Sequence, residues 1–478
     1  MLNRTIGQQE IVILNTKINI SLWFMKNIKD KNLQVIDSCV KFSRCRPLGP
    51  WEKIFWLSGQ SGQAQVVMVA QIKGKFSVEQ LKKALTQVQQ RHLMLQVRIT
   101  LDEAQQPWFV EDTSNNIPLR VVPREGEQQW QREVEQELSQ PFVCYQAPLV
   151  RVVLVHSTDV SEVIITLHHS ISDGVSGLFL IRDILQALAT PETSISSEPL
   201  AIPVLEDLIP VQVDENLFSQ NSEIQKTSWL STNSLSIKFT NPPTQFSTTT
   251  FEQTSQILPD IHFASLSAEN TTQLISRCRQ EQTTVHAAIC SAFLLAIANQ
   301  NSEQMQQTLK CFSPINIRED LRPAVEEQVG YYAHGKATLQ TLNPNDNLWE
   351  TARSFKDRLK QEMALEKVFE EILRNREWFS TNPDLTQVQK AISGNLDRSL
   401  IVSNLGRIKF SPEFGHLQLQ AIYGPIGIPP GKNHWLVGAV TVGKQLFLSL
   451  VLQNSTVSSA EREDLLAETI DLLNTGIK

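Results

Sequence analysis

The stretch of sequence that decides the fold runs from Val163 to Gly174 and reads VIITLHHSISDG. Its first five residues are apolar or β-branched, which predicts a buried strand. Two adjacent histidines close that strand. Because neighbouring side chains of a strand point to opposite faces, one imidazole can enter a cavity while the other points back into the fold. From Val175 to Leu188 apolar residues recur at helical spacing, so the histidine pair lies between a strand and a helix.

An imidazole at the end of a strand is well placed for proton transfer. The unperturbed pKa of histidine, about 6.5, lets the side chain accept a proton near neutral pH. Two ordinary half-buried histidines are the alternative interpretation, because a short motif is a hypothesis until its context supports it. The strand before the pair and the helix after it favour the chemical interpretation, in which the motif supplies the base of an acyl-transfer enzyme.

The pattern HHxxxDG resembles the signature of the acyltransferase superfamily that includes peptide-synthetase condensation domains, plant acyl-CoA-dependent acyltransferases, wax ester synthases and polyketide-associated acyltransferases. His168, His169, Asp173 and Gly174 match it position for position. The resemblance implies that His169 deprotonates the acceptor and that His168 is structural. It also implies that Asp173 pairs with an arginine to hold the loop, and that Gly174 permits the backbone geometry of the bend.

The same resemblance implies the fold class, α/β (α+β). We expect two chloramphenicol-acetyltransferase-like lobes, each a mixed sheet flanked by helices, with a tunnel at their interface. The predicted division is an N-terminal extension over 1–45, an N-terminal lobe over 46–190, a linker or crossover over 191–260 and a C-terminal lobe over 261–478. A chain of 478 residues suits two domains of roughly 200 residues each.

Two arginines are further candidates for the site. Arg151 lies in the strand-like run from Pro148 to Val155, and we expect it to pair with Asp173, since an unpaired buried carboxylate is costly. Arg318 lies in INIREDLRP, which resembles the family's second-domain segment that carries an arginine near the active-site mouth. Contact with an anionic donor or carrier and a surface ion-pair cluster both remain open for Arg318.

The segment SLIVSNLGR, from Ser399 to Arg407, closes an apolar strand in a Ser-Asn pair. In the superfamily the equivalent strand end faces the histidine motif, which makes Ser403 and Asn404 candidates for binding substrate or the tetrahedral oxyanion. A simple Asn-Leu-Gly turn is the alternative.

Composition excludes several classes of function. A net charge of −7 and a pI near 5.8 argue against nucleic acid as a partner, because phosphate binding needs a basic face. The six cysteines form neither CxxC nor a zinc-spaced Cys/His array, so we expect no metal, reduced thiols and a cytoplasmic protein. The longest apolar stretch, 287–298, is shorter than the ~20 residues that cross a bilayer, and a buried core helix is predicted there instead.

These observations favour direct acyl transfer. The sequence has no GxSxG elbow, and no cysteine with an evident base beside it, so no covalent intermediate is expected. The resemblance implies an acyl thioester donor, either acyl-CoA or a phosphopantetheinyl carrier protein, with no bound cofactor. An acceptor hydroxyl and an ester product in secondary metabolism are expected, as in the polyketide-associated or alcohol acyltransferase branch. Amide-forming condensation and a non-catalytic carrier-docking module are the alternatives.

Overall fold

The computed structural model describes residues 45–191, 203–210, 239–240, 259–300, 306–393, 399–429, 434–452 and 458–478. The predicted N-terminal extension, apart from Cys45, and most of the predicted linker lie outside the described residues. Within the described residues the strands are β1 (Cys45–Pro47), β2 (Gln65–Lys73), β3 (Val97–Asp102), β4 (Pro107–Glu111), β5 (Leu119–Pro123), β6 (Val150–His156), β7 (Val160–His168), β8 (Phe239–Thr240), β9 (Asp260–Leu266), β10 (Gln307–Asn316), β11 (Ala333–Leu342), β12 (Ser399–Arg407), β13 (Glu413–Phe414), β14 (Leu417–Ile426), β15 (His434–Val442) and β16 (Gln445–Leu452).

The helices in the described ranges are α1 (Pro50–Gly59), α2 (Val78–Arg91), α3 (Gln129–Leu138), α4 (Gly174–Ala189), α5 (Ala268–Gln280), α6 (Val285–Gln300), α7 (Leu348–Glu362), α8 (Leu365–Ser380), α9 (Leu385–Ser393) and α10 (Ser459–Gly476). Short 3₁₀ turns cover Leu93–Gln96, His169–Ile171, Leu205–Leu208 and Arg318–Asp320.

Two large mixed sheets form the framework. The N-terminal sheet has the strand order β13-β14-β2-β7-β6-β5, and the C-terminal sheet has the order β11-β10-β12-β15-β16-β9. A smaller sheet, β1-β4-β3-β8, lies beside the first. Parallel pairing of β5 with β6 and of β12 with both β10 and β15 makes each large sheet mixed. The predicted fold class, two mixed sheets flanked by helices, is confirmed.

The chain crosses between the sheets where the sequence gives no sign of it. Strands β13 and β14 come late in the chain, yet β14 pairs with β2 of the N-terminal sheet. The predicted boundary near residue 261 therefore does not separate the two sheets. This crossover places β14 of the N-terminal sheet against β15 of the C-terminal sheet. We call this junction of the two sheets the seam, and the candidate site lies beside it.

Helix α6 forms the centre of the C-terminal core. Every residue from Ala287 to Ala298 is buried, because this stretch is apolar on all sides and the C-terminal sheet, α7 and α10 surround it. Its N-terminus is capped by Thr284, whose Oγ1 accepts a hydrogen bond from the Ala287 amide at 3.1 Å. The predicted core helix is confirmed.

Among the described residues, no single helix is both long and apolar enough to cross a bilayer. Helices α5 and α6 together have the length and apolar composition of a membrane span, but the two helices are bent by 99° relative to each other.

The seam between the sheets yields a prediction about stability. Gly438 of β15 lies so close to β14 that a Cβ there would clash with the Pro425 carbonyl oxygen and lie 2.6 Å from Ser449 Oγ. We expect Gly438→Ala to lower the free energy of unfolding by about 1–3 kcal/mol, measured by urea denaturation, because overpacking forces the backbone to shift. Gly126→Ala is the matched control, since nothing lies within 4 Å of a Cβ there. Equal stability of the two variants would contradict the prediction.

Candidate active site

The histidine pair lies where β7 ends. His168 is the last residue of β7, and His169 begins the 3₁₀ turn that leads to α4. The His169 amide donates a hydrogen bond to the Ala64 carbonyl at 2.7 Å, which ties the turn to the chain entering β2. The strand-turn-helix context predicted for the motif is confirmed.

The His169 ring is fixed by one hydrogen bond. Its Nδ1 lies 2.7 Å from the backbone carbonyl oxygen of Ser172, an acceptor, so Nδ1 carries the proton and donates it. Nε2 is therefore the unprotonated nitrogen, and no partner for it is found among the described residues. Burial lowers the pKa of His169 below its ordinary value, although the Ser172 carbonyl and the Asp173 charge act in the opposite direction. The ring is thus neutral at pH 7 and able to accept a proton at Nε2.

His168 points the other way, as strand alternation predicts. It is 1% exposed, and its Nδ1 lies 2.7 Å from Ser170 Oγ. Burial lowers the pKa of His168 to about 3, and the neighbouring His169 adds to the effect. A Cβ on Gly59 would lie 2.6 Å from His168 Nε2, so α1 packs directly on this ring. These contacts are consistent with the structural role that we expected for His168.

The carboxylate of Asp173 is buried and fully paired. Arg318 Nη1 and Nη2 donate to Asp173 Oδ2 and Oδ1 at 2.7 and 3.0 Å, a bidentate ion pair. The Ser176 amide donates to Oδ1 at 2.8 Å, which caps α4, and the Tyr332 amide donates to Oδ2 at 3.0 Å. Burial alone would raise the pKa of Asp173, but Arg318 and these amides hold it below its ordinary value.

The expected pairing of Arg151 with Asp173 is wrong. Arg151 contacts α3 instead: its Nε donates to the Glu137 carboxylate, and its Nη2 donates to the Glu137 and Gln140 carbonyls at 2.7 Å each. Glu137 is 2% exposed and needs a cation, which Arg151 and Arg120 both provide, Arg120 through Nη2 at 3.1 Å from Oε1. We expected Arg318 at the active-site mouth or in a surface ion-pair cluster. Instead it is 2% exposed, and it forms the ion pair with Asp173 that we had expected of Arg151.

Gly174 is required for space rather than for backbone conformation. Its φ is not in the left-handed region, so the expectation about the bend is corrected. A Cβ at this position would lie 2.7 Å from Leu405 Cδ2 and 3.3 Å from Pro425 Cγ. The glycine therefore lets the start of α4 approach β12 and β14 from the second half of the chain.

A cavity of about 1260 Å³ lies at the junction of the two large sheets, where the fold class predicts a tunnel, and His169 lines it. Ser403 and Asn404 line the same cavity from β12. Asn404 Oδ1 accepts a hydrogen bond from the Gly406 amide at 2.9 Å, which leaves the side-chain NH₂ as the group that can donate to a substrate. The structure places Ser403 and Asn404 within β12 rather than at its end, and a β-bulge between Asn404 and Arg407 is found where the Asn-Leu-Gly turn was the alternative.

Aromatic residues that sequence reasoning missed surround the His169 ring. Phe55 of α1 stacks on it with ring centroids 3.8 Å apart and an interplanar angle of 27°. Tyr331 approaches edge-on at 5.5 Å, and both aromatic residues line the cavity together with Trp51. The signal in the sequence was the spacing of Trp51 and Phe55, four residues apart on one helical face.

Two cysteines lie beside histidines, contrary to the expectation from sequence. Cys144 Sγ is 3.6 Å from His168 Nε2, and Cys290 Sγ is 3.5 Å from His286 Nε2. Burial raises the pKa of Cys144 to about 12 and that of Cys290 well above its ordinary value, so neither is a thiolate at neutral pH. Within the described ranges, no group of three or more His, Cys, Asp or Glu side chains is placed to hold a metal ion.

A family model described as "Condensation domain" matches residues 57–379 of this chain. Tyrocidine synthase 3 of Brevibacillus parabrevis is 27% identical over 262 residues, which cover 53% of this chain and 4% of that protein. The chain thus spans only a small part of the curated relatives that it matches.

Solved structures share the fold. The trichothecene 15-O-acetyltransferase of Fusarium sporotrichioides aligns with a TM-score of 0.67 and 12% identity, covering 90% of this chain and 95% of that one. The polyketide synthase associated protein 5 of Mycobacterium tuberculosis aligns with a TM-score of 0.61 and 15% identity, covering 91% and 97%.

The buried ion pair yields a second prediction. We expect Arg318→Met to lower the free energy of unfolding by about 3–5 kcal/mol at pH 7, because Asp173 then stays buried without its cation. The double variant Asp173→Asn with Arg318→Met should recover part of that loss, and urea denaturation measures both. Arg279→Met on exposed α5 surface is the control, expected within about 0.5 kcal/mol of the parent.

The same pair has a defined pH dependence. Since the folded-state pKa of Asp173 is depressed, its contribution to stability is present above about pH 4 and is lost as the pH falls through the folded-state pKa. The difference between the parent and Arg318→Met should therefore shrink in acid. A difference that is constant with pH, or a double variant no more stable than Arg318→Met, would show that Asp173 is not the group Arg318 compensates.

Proposed function

Because this chain belongs to the condensation-domain family, we propose that it is an acyltransferase that moves an acyl group from a thioester to an acceptor hydroxyl, with His169 as general base. One observation carries the proposal. The Nε2 atom of His169 is the unprotonated nitrogen of a ring held by Ser172, in a cavity lined by both large sheets. A base for an acyl acceptor needs that combination of a fixed ring, a free lone pair and access to two substrates.

The proposed reaction has two proton transfers at one nitrogen. His169 Nε2 takes the hydroxyl proton as the acceptor oxygen attacks the thioester carbonyl carbon, and the carbonyl oxygen becomes an oxyanion. The tetrahedral intermediate then collapses, the carbon–sulfur bond breaks and the ester forms. The imidazolium returns its proton to the leaving thiolate, which restores the neutral base. No protein nucleophile is needed, and the raised pKa values of Cys144 and Cys290 agree with that.

In this proposal Ser403 and Asn404 stabilise the oxyanion. Both line the cavity on β12, and the Asn404 NH₂ and the Ser403 hydroxyl are donors. A well-placed donor of this kind contributes roughly 3–4 kcal/mol to lowering the barrier.

The proposed donor is an acyl-CoA or an acyl group on a phosphopantetheinyl carrier protein. A cavity of about 1260 Å³ exceeds the ~300–1,000 Å³ of a usual small-molecule pocket. It is therefore large enough for a pantetheine arm and an acceptor to meet at His169. No bound prosthetic group enters the proposed chemistry.

Ester formation is favoured over amide formation by the charge state of the acceptor. A hydroxyl is neutral at pH 7 and reaches the Phe55 and Tyr331 rings beside His169 unchanged, whereas an alkylamine arrives as an ammonium ion that must first lose a proton. Asp173, the carboxylate of the motif, is already neutralised by Arg318 and does not offer that ammonium ion a partner. Amide formation is the second candidate, favoured by the similarity to tyrocidine synthase 3.

Replacing the base tests the mechanism. We expect His169→Ala to lower kcat roughly 10²–10⁴-fold, measured as thiol release from an acyl-thioester in the presence of an alcohol. Since the pKa of His169 is lowered, kcat/KM of the parent should remain constant to below the ordinary histidine value of about 6.5 and then fall in acid. His416→Gln on the surface is the control. Full activity of His169→Ala would refute the role of this ring.

The acceptor class is tested by competition. With one acyl-thioester donor and equal concentrations of matched alcohols and amines, mass spectrometry is expected to detect mainly the ester. Both products are also measured with His169→Ala, because the ester should be lost in this variant, whereas an amide that persists in it comes from spontaneous aminolysis. Predominant amide formation that depends on His169 would establish the second candidate instead, and donor binding without turnover by any acceptor would favour a docking module.

A further inference from the structure

The His169 ring is stacked on the side chain of Phe55. The Phe55 and His169 centroids are 3.8 Å apart, and the two planes are 27° from parallel. Tyr331 meets the same imidazole edge-on, with an interplanar angle of 69°. The imidazole is thus stacked on Phe55, while its Nδ1 is held by the Ser172 carbonyl.

Helix α1 holds Phe55 in this place at both of its ends. At the N-terminus, the Gly49 amide donates to Glu52 Oε2 at 2.7 Å, and Arg46 donates to both oxygens of that carboxylate at 2.6 and 2.7 Å. At the C-terminus, Gly59 lies against the buried His168 ring. Since α1 packs on His168, the residue next to His169 in the chain, the distance between the Phe55 and His169 rings is set by the packing of α1 on the end of β7.

A phenyl face has a negative electrostatic potential, and a cation above it is stabilised. His169 becomes such a cation for part of the proposed reaction, when Nε2 holds the proton of the acceptor. We infer that Phe55 is a positioning residue for this reaction, whose ring face fixes the His169 imidazole and stabilises the imidazolium that forms. The inference deepens the proposed function and rests on it.

Other groups around His169 do not replace this interaction. Asp173 acts on His169 through its charge, but its two oxygens are occupied by Arg318 and backbone amides. His168 is neutral, because burial keeps its pKa at about 3. Tyr331 is a neutral phenol whose pKa burial raises. On α1 the carboxylate of Glu52 is paired with Arg46. Phe55 is the aromatic residue whose ring face is stacked on the imidazole.

The test is Phe55→Leu, which keeps an apolar side chain of similar bulk against His169 and removes the π face. NMR titration of histidine-labelled protein reports the protonation of His169 without any substrate. We expect the His169 titration to move about half a pH unit lower. The acid limb of kcat/KM should move by the same amount and kcat should fall about three- to tenfold, with KM within about twofold. Phe55→Tyr, which keeps the ring, should restore all three values.

Phe76→Leu is the matched control, because Phe76 is 7% exposed in the N-terminal core and does not line the cavity. It should lower stability without moving the His169 titration. An unchanged His169 titration in folded Phe55→Leu, or a rise in KM alone, would overturn the inference and leave Phe55 as a wall of the cavity. A parent protein that transfers no acyl group would overturn the proposed function instead, and the titration distinguishes the two failures.

Discussion

The geometry of the candidate site depends on one ion pair buried between the two halves of the chain. Asp173 and Arg318 are both almost fully buried, and removing two charges from water costs several kcal/mol per ion. That cost is offset only if nearly every donor and acceptor is satisfied. The Tyr332 and Ser176 amides donate to Asp173, and the Gly330 carbonyl accepts from Arg318 Nη2, while Arg318 Nε is buried without a partner among the described residues. The pair therefore fixes the position of Arg318 relative to the motif, and with it the position of one sheet relative to the other.

The ion pair acts on the chemistry through the turn that it anchors. Asp173 caps α4 immediately after Ser172, so the peptide that holds His169 Nδ1 belongs to the same anchored segment. A base is useful only if its free nitrogen stays in one place, and a carbonyl partner gives direction without adding a negative charge. The adjacent His168 shows the opposite outcome for the same residue type. Its burial against Gly59 makes it a core side chain with a pKa of about 3.

Local features of this protein could be predicted from sequence, and features that join distant segments could not. The end of β7 at the histidine pair, the helix beginning at Gly174 and the buried helix α6 follow from periodicity and capping over a few residues. The partner of Asp173 does not, because Arg318 lies 145 positions away, and Arg151 was nearer in sequence and equally plausible in charge. The crossover of β14 and the stacking of Phe55 on His169 are likewise contacts between segments with no shared local pattern.

The seam between the sheets explains why the motif alone does not make the site. Gly174 makes room for Leu405 and Pro425, and Gly438 makes room for the carbonyl of Pro425. Both glycines are in ordinary backbone conformations, so what they provide is the absence of a side chain at a close approach. Small residues at such positions determine how closely β14, β15 and the start of α4 approach one another. The approach of β12 and β14 to the turn that carries His169 thus depends on residues that carry no chemistry. A sequence that kept both histidines and Asp173 but enlarged these glycines would keep the imidazole and displace the strands around it.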